Sequence, residues 1–164
     1  MFNQSLAKAL NLPLHGEIIN SMRKPNILLI EDDELDTISV ERSLKKLEIT
    51  YILHTAYNGL EALSLLRDKN NPLVPDVILL DINMPRMNGI EFLKILRSDE
   101  ELKDLKVFIM TTSSEGNDRI TAEELGISGY IIKPLNYTDN TKRPDSMDAF
   151  VQFHLRKILI NANL

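Results

Sequence analysis

The chain has 164 residues, 43% of them apolar and 26% charged, which fits one globular domain burying about 70% of its unfolded surface. Its 19 Lys and Arg against 24 Asp and Glu leave a net charge of −5, which argues against a nucleic-acid partner, since that needs a basic face. Cysteine is absent, so there is no disulfide frame, thiol nucleophile or Cys-ligated metal. No apolar run reaches the ~18 residues of a membrane span, and the basic start and apolar core of a signal peptide are missing. A cytoplasmic protein with no membrane partner is expected.

Residues 1–24 read as an extension before the domain, with Leu6, Leu10, Leu12 and Leu14 around Pro13. The first strand is expected at Asn26–Ile30, followed by a helix carrying Val40, Leu44 and Leu47 on one face. A second strand is expected at Tyr51–Thr55, then a helix with Leu60, Leu63 and Leu66 after Asn58-Gly59. The third strand, Asp76–Leu80, leads to a helix with Ile90, Leu93 and Leu96 after Asn88-Gly89. The fourth, Lys106–Met110, leads to a weakly apolar helix near Asp118–Leu125, stopped at Gly126. The fifth, Gly129–Ile132, precedes a polar loop at 136–144 and a last helix lined by Met147, Phe150, Val151, Leu155 and Ile158.

Continuous apolar strands suit a parallel sheet buried on both faces. Five of them alternating with helices predict an α/β fold: a doubly wound (βα)5 three-layer sandwich with strand order 2-1-3-4-5. The domain is expected to span 25–162, with no output domain after it. Phe153, Leu159 and Ile160 lie partly off the last helix's apolar stripe and are expected to be free for a homodimer contact.

In such a sheet the working crevice lies beyond the carboxyl ends of the strands, where strand order reverses. Glu31, Asp32 and Asp33 follow the first strand and Asp81 follows the third. Three converging carboxylates repel unless a cation compensates. Oxygen donors without Cys or nearby His favour Mg²⁺ or Mn²⁺ over Zn²⁺. A carboxylate beside such a cation is a competent phosphoryl acceptor. Thr111 and Lys133 end the fourth and fifth strands, adding a hydroxyl and an ammonium to the same rim. Taken singly, each of these residues is an ordinary turn, cap or surface residue.

The runs Ile27–Asp33, Asn58–Leu63, Asp76–Gly89, Met110–Thr112 and Gly129–Pro134 together resemble the receiver domain of two-component response regulators. The resemblance covers residues 25–135, extended by the last helix to about residue 160. It implies that Asp81 accepts a phosphoryl group from a phosphohistidine on a sensor histidine kinase. It implies that Asp32 ligates Mg²⁺, that Glu31 acts mainly through water, and that the Asn83 carbonyl is the third ligand. Thr111 and Lys133 would hold phosphoryl oxygens, Thr111 and Tyr130 would be the switch pair, and Lys133-Pro134 would be a cis peptide. Asp33 fills a variable position. The resemblance implies output through an unknown protein partner.

Thr111-Thr112-Ser113 resembles a subgroup of single-domain regulators that pair with phytochrome-type histidine kinases. Asn83 and Ser113 occupy positions that tune phosphoryl lifetime in the family, and the 136–144 loop lies on the rim, either as a contact for the kinase or as a passive insertion. His15, His54 and His154 are scattered along the chain, so neither a phosphohistidine relay nor a His metal site is expected. The resemblance makes this a signalling module and not an enzyme on external substrates. Two alternatives stand beside it: a phosphorylation-independent adaptor, and an aspartate-nucleophile phosphohydrolase. The hydrolase usually carries a general-acid Asp two residues after its nucleophile, where this chain has Asn83.

Overall fold

The computed structural model describes residues 23–111, 116–133 and 146–161. The apolar runs form β1 (Asn26–Ile30), β2 (Ile52–Ala56), β3 (Val77–Asp81), β4 (Val107–Thr111) and β5 (Gly129–Ile132). They pair in parallel in the order 2-1-3-4-5, as expected. Ile30 lies opposite Leu80, Asp81 opposite Met110 and Thr111 opposite Ile132. The strands therefore finish level, and their last polar residues share one rim. The Glu31 amide donates to the Ala56 carbonyl at 3.0 Å and the Lys133 amide to that of Thr111 at 2.8 Å, carrying the ladder one residue past β1 and β5.

The helices are α1 (Glu34–Leu44), α2 (Gly59–Leu66), α3 (Gly89–Ser98) and α4 (Gly116–Glu124). The last helix, α5, starts as Ser146–Phe150, continues as a π-helical segment Val151–Leu155 and ends as Arg156–Asn161. Polar residues start the first three. Asp33 accepts from the Leu35 and Asp36 amides, Asn58 accepts from Glu61, and Asn88 forms a capping box with Glu91. Side chains alternate across the sheet. Ile27, Leu29 and Leu79 pack with α1 and α5 on one side. Leu28, Ile30 and Leu80 pack with α2, α3 and α4 on the other.

Three expectations are corrected by the packing. Strand order leaves β2 on an edge, so it is only part-buried and Ile52 is 42% exposed. In α2, steps of three residues drift off a face that repeats every 3.6. Leu60 therefore faces outward, while Ala62, Leu63 and Leu66 are buried. In α5, the π-helical segment carries hydrogen bonds reaching five residues back and each turn holds more residues. Its core face runs Met147, Val151, Leu155, Leu159, every fourth residue. Leu159 is thus fully buried and unavailable to a second copy, while Phe153 and Ile160 stay exposed.

The loop after β3 is drawn tightly against the sheet. The Gly89 amide donates to the Ile82 carbonyl at 2.8 Å. A Cβ on Gly89 would sit 2.3 Å from the Asp81 carbonyl oxygen and 2.8 Å from Ile82 Cα. Both obstacles are backbone, so neither can swing away. Gly89→Ala is expected to cost about 1–3 kcal/mol, read by urea unfolding. An unchanged unfolding midpoint would contradict this packing. Gly126, at φ 68°, ends α4 as expected. The 1–22 part of the extension and the 136–144 loop lie outside the described residues.

Candidate functional site

Glu31 leaves the end of β1 and Asp81 ends β3, and both side chains are buried. Asp32 is exposed beside them. One carboxylate oxygen from each of the three lies within 4.8 Å of the others. Thr111 is buried at the end of β4. Lys133 extends from the end of β5, its Nζ 2.9 Å from Asp81 Oδ1 and 3.1 Å from Glu31 Oε2. Glu31, Asp32, Asp81 and Lys133 thus come together, and Thr111 stands at the neighbouring strand end.

A fourth carboxylate, which the sequence reading passed over, joins them through Lys133. Asp36 Oδ2 lies 2.7 Å from Lys133 Nζ, the shortest of the three contacts. Its position follows from Asp33, which stays out of the cluster because its side chain caps α1. Asp33 Oδ1 accepts from the Asp36 amide at 3.0 Å, and the Asp33 amide donates to Glu31 Oε1 at 3.0 Å. The sequence shows where Asp36 stands, three residues past the helix cap Asp33, but not that Lys133 arrives from β5 to meet it.

Burial is the main reason that Glu31 holds its proton up to about pH 7, and the Asp81 charge adds to it. Burial opposes the Lys133 charge, but Asp36, Asp81 and Glu31 outweigh it and raise the ammonium well above its ordinary value. The site therefore carries more negative than positive charge. The triad offers only hard oxygen donors, which fits a divalent ion such as Mg²⁺ or Mn²⁺ and not a soft or imidazole-seeking one. Asn83 follows β3 with an exposed side chain.

Tyr130 is half-buried on β5. Its hydroxyl donates to the Arg119 carbonyl at 2.6 Å, and the Arg119 guanidinium lies 4.6 Å from the ring centroid. The aromatic expected to switch is thus tied to α4 in this structure. Of the histidines, His54 pairs with Asn26 Oδ1 at 3.0 Å and His154 lies beside Phe150. Neither approaches the acidic cluster, and His15 lies outside the described residues. Thr112, Ser113 and the Lys133-Pro134 peptide's proline also lie outside them.

Residues 27–143 match the response regulator receiver domain family. The chain belongs to that family. This receiver is 34% identical over 128 residues to response regulator Rcp1 of Synechocystis, covering 76% of this chain and 86% of Rcp1. The Mn²⁺-bound form of Rcp1 superposes with a TM-score of 0.69 at 32% identity, covering 79% and 93% of the two chains. A two-component response regulator from Legionella pneumophila gives 0.65 at 41% identity, covering 82% and 98%. The phosphorylated cyanobacterial phytochrome response regulator RcpA gives 0.64 at 32%, covering 70% and 84%. Among the described residues of this receiver, no helix is long and apolar enough to cross a membrane.

Proposed function

We propose that this receiver is a phosphorylation-activated response regulator of a two-component system in which Asp81 is the phosphoryl acceptor. The supporting observation is the placement of Asp81: a buried carboxylate ending the central strand, 2.9 Å from Lys133 Nζ and within reach of Glu31 and Asp32. The donor is a phosphohistidine of a sensor histidine kinase. An Asp81 carboxylate oxygen attacks phosphorus and a P–O bond forms. The P–N bond breaks, and the imidazole leaves with its electron pair. Lys133 follows the transferred oxygens as a point charge, and the Thr111 hydroxyl donates to one of them. Glu31, Asp32, Asp81 and the Asn83 carbonyl are the residues that would hold a divalent metal, which we assign as Mg²⁺. Bound there, the metal neutralises charge on the moving phosphoryl group.

The product carries about two negative charges and three acceptor oxygens at the end of β3. Thr111 and Tyr130 are the switch pair that senses it. Tyr130 leaving its hydrogen bond on Arg119 would alter the face made by α4, β5 and α5. Output passes by protein contact in the cytoplasm, and no external substrate is turned over. Phe153 and Ile160 remain exposed on α5, where they could meet a partner or a second copy. The likeness to RcpA supports a phytochrome-type kinase as donor.

The test is intact mass after incubation with acetyl phosphate, with and without Mg²⁺. One phosphoryl group is expected with Mg²⁺, and none in Asp81→Asn. No gain in the unmodified chain would favour a phosphorylation-independent adaptor.

A further inference from the structure

We infer that Asp36 is a positioning residue: it holds the Lys133 ammonium beside the metal ligands without being one of them. The inference rests on the reading of Glu31, Asp32 and Asp81 as a divalent-metal site. Lys133 Nζ has three carboxylate partners, Asp36 at 2.7 Å, Asp81 at 2.9 Å and Glu31 at 3.1 Å. Two of them belong to the triad whose oxygens gather within 4.8 Å. Asp36 does not.

That difference has a consequence for any cation entering the triad. A cation bound by Glu31 and Asp81 draws on the same two carboxylates as the ammonium, and the two positive charges repel. Asp36 gives the ammonium a charged partner that the cation does not claim. Lys133 can then yield Glu31 and Asp81 without leaving the rim where it is needed. Without Asp36, Glu31 and Asp81 are the carboxylates left to the ammonium among the described residues, and it competes with the cation directly.

The carboxylate is built into place. Asp36 sits in the first turn of α1, its amide fixed by the Asp33 cap at 3.0 Å. Asp33 is in turn bound to Glu31 at 3.0 Å. The Asp36 side chain is 26% exposed against 14% for Lys133, so the pair is partly shielded from water and salt. Asparagine keeps the shape of Asp36 but cannot balance the ammonium.

The test is Mn²⁺ binding to the full chain, followed by the electron paramagnetic resonance signal of the free ion at fixed ionic strength. Asp36→Asn is expected to raise the Mn²⁺ Kd about tenfold, the scale of losing a group that supports a metal site from outside. In a Lys133→Met background the same substitution is expected to shift Kd less than about twofold, because no ammonium remains to be held. Asp36→Glu should recover most of the loss, and Asp36→Ser should repeat the Asn pattern. Equal losses in both backgrounds would overturn the inference, since Asp36 would then act through its own charge or through the fold. An unchanged Kd in Asp36→Asn would overturn it too. If the unmodified chain bound no Mn²⁺, or if Glu31→Gln and Asp81→Asn left binding intact, the metal-site reading itself would fall and take this inference with it.

Discussion

Replacing Lys133 by methionine is expected to slow phosphorylation of Asp81 by about 10²–10³-fold, the cost of removing one preorganised electrostatic group from a reaction centre. The ammonium lies 2.9 Å from Asp81 and is 14% exposed, so water screens it poorly. Methionine keeps the apolar stem and removes the ammonium, with its charge and its N–H donors. The same change leaves Glu31 and Asp81, whose side chains are 1% and 6% exposed, without their shared cation. In metal-free protein at pH 8 this is expected to cost about 3 kcal/mol of stability. At pH 5 the cost falls, because a buried carboxyl can take up a proton instead. Rates of mass gain with acetyl phosphate and urea unfolding at the two pH values measure both effects. A phosphorylation rate within a few-fold of the unmodified chain would remove Lys133 from the reaction.

Metal-free protein is also expected to lose stability as pH rises from about 4.5 to about 7. Glu31 ionises near 4.5 when unfolded and near 7 when folded. Between those values the folded chain binds more protons than the unfolded one, so raising the pH favours unfolding. The raised value corresponds to roughly 3 kcal/mol, fully felt above pH 7 and absent below 4.5. Divalent cations should reverse the trend, because binding to the folded site favours the ionised carboxylate and adds stability by mass action. Urea unfolding with a chelator across this range, beside Glu31→Gln, checks it. A slope that survives in Glu31→Gln would assign the pH dependence elsewhere.

The fold was legible because its signals are local. Five apolar runs bounded by polar ends became five strands, and Asn58-Gly59 and Asn88-Gly89 became helix starts. The rim was legible for the same reason, since Glu31, Asp81, Thr111 and Lys133 each stand at a strand end. What escaped depends on rotation about a helix or on contacts between distant segments. Leu60 and Leu159 were misplaced by turns of helix whose phase is set by packing. Asp36 was missed because its partner arrives from β5, and no local pattern announces that meeting. Arg97 is similar: its guanidinium donates to the carbonyls of Lys103, Leu105, Leu125 and Gly126, tying α3 to the ends of two loops.

The central claim is that Asp81, among several clustered carboxylates, is the residue that carries the phosphoryl group. The most direct measurement is borohydride reduction of the phosphorylated chain followed by peptide mass spectrometry, which converts an acyl phosphate on aspartate to homoserine and marks its position. Homoserine at position 81, appearing only after incubation with phosphodonor and Mg²⁺, is the expected result. Homoserine at position 32, 33 or 36 instead would place the acceptor on the α1 side of the rim and contradict the assignment.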